Sequence, residues 1–364
     1  MATDRYAGVM SGTSLDGVDA VVADFAAGGV RVLGCATLPF TAALKDELLA
    51  LQAPCADEIA RAARAANALA DLYAGAIVEA AAAAGVATGA IAAAGVHGQT
   101  IRHRPGEGWT LQLNNPARVA ERCGVTVVAD FRSRDVAAGG QGAPLVPAFH
   151  AAVFGGPVHR AVVNVGGIAN VTDLPPGGTV RGFDTGPGNV LLDLWHARHR
   201  GGPFDAGGDW ARCGRVDAGL LAALLSEPFL GLSPPKSTGR DLFNAGWLDA
   251  RLAGRRVPDV DIQATLLEFT AASIARAIDD HCAAATEVLV CGGGARNGAL
   301  QERLGALLAP RKVATTDVAG VAPGHVEALA FAWLAREALA GRPGNLPAVT
   351  GAAGLRVLGA IYPA

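Results

Sequence analysis

One carboxylate near the middle of the chain stands in a segment suited to hold it still. Residues 183–189 read Phe-Asp-Thr-Gly-Pro-Gly-Asn, and they put Asp184 at the start of a turn that glycine and proline make rigid. A carboxylate fixed in this way can act as a general base, and phosphoryl transfer needs little beyond positioning, a metal ion and one such group. An Asx turn, in which Asp184 only caps nearby backbone, explains the same residues equally well.

A glycine-rich loop lies close to the N-terminus, between apolar runs at residues 6–10 and 18–25. Its glycines, among them Gly12, would let backbone N–H groups approach an anion, and its hydroxyls add further donors. Asp16 and Asp19 add carboxylates that suit Mg²⁺. The combination suits the phosphate tail of ATP, although the GxxxxGK[ST] pattern is absent, and an ordinary hairpin turn accounts for it equally well.

Two further glycine loops follow later in the chain. Residues 164–172 repeat the strand–turn–strand pattern, with Gly166, Gly167 and Asn170 in the turn region, so we expect a second phosphate loop there. Residues 292–297 read Gly-Gly-Gly-Ala-Arg-Asn between a strand and a helix, without the GxGxxG spacing of a dinucleotide site. This third loop suits a close approach to adenine or ribose, but a tight strand-to-helix connection is the favoured interpretation.

Charged residues and a histidine mark a possible substrate contact in the first half. Charge alternates through Asp130, Arg132, Arg134 and Asp135. Arg132 can meet a carboxylate or phosphate with two hydrogen bonds, whereas a solvated loop with weak ion pairs is the alternative. His97 can touch a substrate, but a structural role is the commoner one for a single histidine at a strand end.

The elements that must position these groups alternate between apolar strands and helices. We predict strands at residues 91–96, 110–113, 126–129, 161–165, 171–174 and 288–291, and helices at 44–84, 116–123 and 326–340. Such alternation is typical of an α/β protein. Because the hairpin unit recurs once, we predict two related lobes, residues 1–150 and 151–364, with the last helix a candidate to pack back on the first lobe.

Bulk properties exclude several classes of protein. The length of 364 residues fits two lobes, and a net charge of −3 gives no attraction to nucleic acid or an anionic membrane. The six cysteines form no CxxC pair, so no zinc or thioredoxin-like motif is indicated. We find no signal peptide, and the most apolar stretch, residues 74–96, is built from alanine and glycine and carries Glu79. We therefore expect a cytoplasmic protein that binds neither membranes nor nucleic acid.

The motifs taken together resemble one known family, the anhydro-N-acetylmuramic acid kinases. The resemblance covers nearly the whole chain, and the order of the motifs makes it highly specific. They lie at residues 8–19, 97–100, 129–132, 141–145, 164–170, 183–189, 292–294 and 327–331.

The resemblance implies a fold and a set of site residues. The fold is α/β, with two actin-like (ribonuclease H-like) lobes and an ATP cleft between them. Asp184 is the implied catalytic base, His97, Arg132 and Glu327 the sugar contacts, and Asp16 and Asp19 the Mg²⁺ ligands. The implied ATP-binding residues are Gly12, Thr13, Ser14, Leu15, Asp16, Gly17, Val18, Asp19, Gly166, Gly167, Asn170, Gly292, Gly293, Gly294 and Asn297.

The implied reaction uses ATP and a small sugar. Water opens the 1,6-anhydro ring of 1,6-anhydro-N-acetylmuramic acid, and the freed O6 takes the γ-phosphoryl group, giving N-acetylmuramic acid 6-phosphate in peptidoglycan recycling. A kinase for another anhydro-sugar, such as levoglucosan, is the nearest alternative. A non-catalytic ATP-driven switch of the same superfold is less favoured, and a homodimer is left open.

Overall fold

The computed structural model describes residues 4–12, 15–26 and 29–364. The chain divides into two compact units. One contains the described residues up to Val153 together with His325–Ala364, and the other is Phe154–Gly324. Residues 325–364, which the sequence-based division assigned to the second lobe, therefore belong to the first unit.

A mixed sheet forms the centre of the first unit. Its strands are β1 Arg5–Met10, β2 Gly17–Asp24, β3 Arg31–Pro39, β4 Ala93–Val96, β7 Val127–Ala129 and β13 Ala360–Tyr362. A separate two-stranded hairpin consists of β5 Gln99–Arg104 and β6 Trp109–Leu113. The sheet order is β13-β7-β4-β1-β2-β3. Strands β1, β2 and β3 form an antiparallel meander, whereas β1, β4 and β7 run parallel.

The first unit also contains helices, some of which pack on this sheet. They are α1 Ala42–Ala50, α2 Glu58–Ala83, α3 Pro116–Cys123, α4 Ser133–Ala137, α5 Val146–Phe154, α12 Val326–Leu339 and α13 Pro347–Thr350. Helix α2 packs on β2 and β3, and α12 packs on β1, β2 and β4. The approach of α12 needs glycine in the sheet, because a Cβ at Gly8 would lie 1.9 Å from the carbonyl oxygen of Ala328 and one at Gly95 2.0 Å from that of Phe331.

The second unit is built around a five-stranded sheet. Its strands are β8 Arg160–Val165, β9 Ile168–Leu174, β10 Arg181–Pro187, β11 Glu287–Cys291 and β12 Lys312–Thr315. Its helices are α6 Val190–Arg200, α7 Asp209–Arg212, α8 Ala218–Leu225, α9 Ala245–Leu252, α10 Asp259–His281 and α11 Gly298–Leu308. Residues of α10 and α11, including Ile274 and Leu304, share one apolar core with Val163 of β8.

Both sheets have the same topology. In the second unit the order is β10-β9-β8-β11-β12, with an antiparallel meander of the first three strands and parallel pairing of β8, β11 and β12. The first unit has the same 3-2-1-4-5 arrangement, with β13 added at one edge. This is the ribonuclease H-like arrangement, so the predicted α/β fold with two related lobes is confirmed.

The element predictions differ from the structure in two instructive places. Helix α3 is confirmed at both ends, but the predicted helix at 44–84 is two helices, α1 and α2. Pro54 lies between them, and proline lacks the N–H that a continuing helix would require. Strand β3 was not predicted at all.

Candidate functional site

Asp184 lies within a strand, which corrects the predicted turn. It pairs with Asn170 across β10 and β9, and the register shifts between Asp184 and Gly186. The bulge leaves Thr185 without a partner on β9, whereas Gly186, with a φ of 142°, pairs with Ala169. The strand therefore continues where the sequence pattern indicated a turn.

The Asp184 carboxylate is held by a distant segment of the chain. Its Oδ2 accepts hydrogen bonds from the Ser237 hydroxyl at 2.8 Å and from the backbone N–H of Thr238 at 2.9 Å. These partners are 53 and 54 residues away, so Asp184 is not an Asx-turn cap. Burial raises the pKa of the carboxyl, and the two donors and Lys236 partly oppose this rise.

The turn between β8 and β9 is tied to the start of α6. The carbonyl of Gly166 accepts from the backbone N–H of Asn189 at 2.8 Å, and that of Gly167 accepts from Gly188 at 2.9 Å. Arg240 reaches the same turn, because its Nη2 lies 3.9 Å from the place where a Cβ on Gly167 would be. Arg240 is exposed and has no ion pair with any residue that the structure describes.

The third glycine loop has structural reasons for its composition. Gly292 has a φ of +80°, and a Cβ there would lie 2.2 Å from Oδ1 of Asn164. A Cβ on Gly294 would lie 2.3 Å from the Val165 side chain. Asn297 caps α11 by accepting a hydrogen bond from the backbone N–H of Leu300 at 3.1 Å. These contacts fit the favoured interpretation, a tight strand-to-helix connection, and the nucleotide roles stay predictions. Gly293 belongs to the same loop.

The first glycine loop is described in part, because Thr13 and Ser14 lie outside the described residues. The carbonyl of Gly12 accepts hydrogen bonds from the Gln99 side chain at 3.2 Å and from the backbone of Leu15 at 3.3 Å. Leu15 is buried with a φ of 56°, an uncommon backbone conformation for a residue other than glycine. A bend at Asp16 then leads into β2. Gly17 and Val18, predicted with this loop, open β2.

The carboxylates predicted for Mg²⁺ fit that ion by the chemistry of their donors. Asp16 and Asp19 are both exposed, and Oδ1 of Asp19 accepts from the Thr37 hydroxyl at 2.7 Å. Among residues 4–12, 15–26 and 29–364, no group of three or more His, Cys, Asp or Glu could hold a metal ion. Mg²⁺ commonly takes one or two protein carboxylates and completes its shell with water and phosphate oxygens.

A hydrogen bond joins Arg132 and His97 in the first unit. Nε of Arg132 donates to Nε2 of His97 at 3.0 Å, and Nη1 donates to the carbonyl of Gly142 at 2.6 Å. Burial and the nearby guanidinium hold the pKa of His97 well below its usual range, so the ring is neutral. Burial also lowers the pKa of Arg132 to about 10, and the charges of Glu327 and Asp135 oppose this. The three predicted sugar contacts are therefore brought together.

Asp135 fixes the loop that carries Gly142. It is fully buried, and its carboxylate accepts from the backbone of Gly142 at 2.8 Å, the Asn345 amide at 2.7 Å and the Thr350 hydroxyl at 2.8 Å. The alternative of a solvated loop for residues 130–135 is thus wrong at Asp135, because segments more than 200 residues away cover it.

The sequence analysis missed one segment of the second unit, residues 236–240. It reads Lys-Ser-Thr-Gly-Arg after two prolines, and it supplies both hydrogen-bond donors to Asp184 as well as Arg240. Hydroxyl, glycine and cationic residues in one short loop were the available signal, but nothing local linked that loop to Asp184.

The fold and the site together define an actin-like protein of two ribonuclease H-like units, with a fixed carboxylate in one and an arginine–histidine pair in the other. The sequence model of the anhydro-N-acetylmuramic acid kinase family matches residues 4–364. An anhydro-N-acetylmuramic acid kinase of Thiobacillus denitrificans is 56% identical over 368 residues, covering 99% of this chain and 98% of the relative. One of Bordetella petrii is 57% identical over 364 residues, covering 99% and 96%. The chain belongs to the anhydro-N-acetylmuramic acid kinase family, which confirms the resemblance seen in the motifs.

A solved structure of low sequence identity also aligns with this chain. The activator of the 2-hydroxyisocaproyl-CoA dehydratase from Clostridium difficile, with bound ADPNP, aligns at a TM-score of 0.47 and 12% identity, over 90% of this chain and 92% of that one. Within the described part of the chain, no helix is both long and apolar enough to cross a membrane.

Proposed function

We propose that this protein uses ATP and water to convert 1,6-anhydro-N-acetylmuramic acid into N-acetylmuramic acid 6-phosphate and ADP. Membership of the anhydro-N-acetylmuramic acid kinase family supports this choice of substrate. The observation that carries the reaction is the Asp184 carboxylate, half-buried, with a raised pKa and one oxygen held by two donors. A carboxyl whose pKa is raised toward working pH is a better proton acceptor than an ordinary one.

In the proposed reaction Asp184 removes a proton from the water that attacks C1. The bond from the water oxygen to C1 forms as the C1–O6 bond breaks. O6 then bonds to the γ-phosphorus as the bond from that phosphorus to the β,γ-bridging oxygen breaks, and the second proton of the water remains on the new C1 hydroxyl. O6 needs no separate general acid, because the phosphoryl group takes up its charge.

We assign the sugar contacts to His97, Arg132 and Glu327 of the first unit. Arg132 keeps N–H groups beyond those given to His97 and Gly142, and its planar guanidinium matches a carboxylate such as that of the lactyl group. His97, whose Nε2 accepts from Arg132, holds the guanidinium in place. Glu327, in the first turn of α12, would accept hydrogen bonds from sugar hydroxyls.

The nucleotide contacts are proposed for the glycine loops. Residues 12–19 would meet the phosphates, with Asp16 and Asp19 holding Mg²⁺, which would offset phosphate charge when bound. Gly166, Gly167 and Asn170 are the other proposed phosphate contacts, and Arg240 would add a cation at their turn. Gly292–Gly294 and Asn297 would lie near the adenosine. We place the reaction in the cytoplasm, where ATP is available, and leave a homodimer open.

The test is the product formed from the sugar and Mg-ATP in ¹⁸O-labelled water. Mass spectrometry should find the label at C1 and phosphate on O6. Levoglucosan is assayed in parallel. If the protein phosphorylates levoglucosan but not 1,6-anhydro-N-acetylmuramic acid, the proposed substrate is wrong and levoglucosan takes its place. ATP hydrolysis without formation of a phosphorylated sugar would instead support the alternative of an ATP-driven switch of the same superfold.

A further inference from the structure

The two donors to Asp184 converge on one of its oxygens. The Ser237 hydroxyl lies 2.8 Å and the Thr238 backbone nitrogen 2.9 Å from Oδ2. Oδ1 has no hydrogen bond from the residues that the structure describes. The carboxylate is thus fixed through one oxygen, and the other is left to meet a water molecule.

The segment that supplies these donors is itself anchored. Lys236 is buried, and its ammonium group donates to the backbone carbonyls of Leu230 at 3.1 Å and Phe229 at 3.4 Å. The carbonyl of Lys236 accepts from the backbone N–H of Asp184 at 3.1 Å. Because Lys236 and the backbone N–H of Thr238 hold the segment on the two sides of the serine, the Ser237 hydroxyl is presented to the carboxylate at a fixed point.

We propose that Ser237 is a positioning residue for the reaction, which sets the orientation and the proton affinity of the Asp184 carboxylate. This inference rests on the proposed function of Asp184 as general base. Thr238 contributes through its backbone, which no side-chain substitution removes, so Ser237 is the donor that can be tested.

The sign of the effect follows from the chemistry of the bond. A hydroxyl that donates to a carboxylate stabilises the ionised form and lowers its pKa. Removing it therefore raises the pKa of Asp184 further above its ordinary value. Since the base must be ionised, the acidic limb of the kcat/KM profile should move to higher pH.

The experiment compares three variants of the full chain. Ser237→Ala removes the donor, and Ser237→Thr keeps a hydroxyl. Ser233→Ala is the matched control, because Ser233 is an exposed serine just before this segment with no side-chain hydrogen bond among the described residues. The pKa of Asp184 is followed by ¹³C NMR of labelled aspartate, with Asp184→Asn to assign the signal, and kcat/KM is measured against pH for each protein.

We expect Ser237→Ala to raise the Asp184 pKa and to shift the acidic limb upward, each by about one unit. Ser237→Thr should restore most of both, and Ser233→Ala should change neither. An unchanged Asp184 pKa in Ser237→Ala would overturn the inference even if the wild type phosphorylates the sugar. A moved pKa with an unmoved acidic limb would overturn it too, since Asp184 would then not be the base. If the wild type does not turn over the sugar, the proposed function fails, and the NMR titration still tests the bond.

Discussion

Nε of Arg132 donates to Nε2 of His97 at 3.0 Å, so the histidine must present an unprotonated nitrogen to a cation. The ring packs against Phe331, with centroids 4.7 Å apart, and burial keeps it neutral. A neutral, packed histidine is a rigid acceptor, and it directs the guanidinium that we assign to the sugar.

We therefore predict that His97→Phe weakens sugar binding more than turnover. Phenylalanine fills the space but accepts no hydrogen bond, and bonds to charged groups are the stronger ones. The KM for the sugar should rise about tenfold, with kcat and the KM for ATP much less affected. His97→Gln, which offers an acceptor oxygen, is the comparison variant and should lose less. Equal losses in both variants, or a rise confined to the KM for ATP, would contradict the role.

Asp184→Asn should fold and bind both ligands but lose at least ~100-fold in turnover. Asparagine keeps the shape and can still accept from Ser237 and Thr238, whereas it cannot take a proton from water. Steady-state assays and calorimetry test this. The contrast is Asp173→Asn on β9, whose buried carboxylate pairs with Arg181. That variant should lower the free energy of unfolding with near-normal turnover per folded molecule, and near-normal turnover of Asp184→Asn would refute the mechanism.

Arg240→Gln should raise the KM for ATP about tenfold, because its guanidinium lies at the Gly167 turn, has no ion pair among the described residues and is suited to phosphate. The KM for the sugar should change little. Arg256→Gln is the control, since Arg256 is also exposed and has no ion pair among the described residues. Nucleotide affinity is measured by calorimetry. If Arg240→Gln and Arg256→Gln bind the nucleotide equally well, Arg240 does not contact it.

The buried His150 should make the folded protein less stable in acid. Burial lowers the pKa of His150 to about 3, so between that pH and the usual value of about 6.5 the unfolded chain binds a proton that the folded chain does not. The free energy of unfolding should therefore fall as the pH drops below about 6.5. In urea denaturation at several pH values, His150→Gln should reduce that slope, by up to about 1.4 kcal/mol per pH unit. Parallel slopes for wild type and variant would show that His150 is not the cause.

Local pattern was enough to predict much of this protein. Apolar runs identified β1, β4, β8 and β11, and apolar residues at helical spacing identified α12, because strand and helix periods are properties of a few neighbouring residues. The ordered motifs also carried the family and singled out Asp184 and Arg132.

Only the tertiary structure decided what holds those two residues. Asp184 belongs to a strand rather than a turn, since pairing with β9 outweighs the turn chemistry of Gly186 and Pro187. Its partner Ser237 is 53 residues away, and His97 is 35 residues from Arg132. Such contacts depend on sheet register and on how distant segments pack, and neither leaves a period in the local sequence.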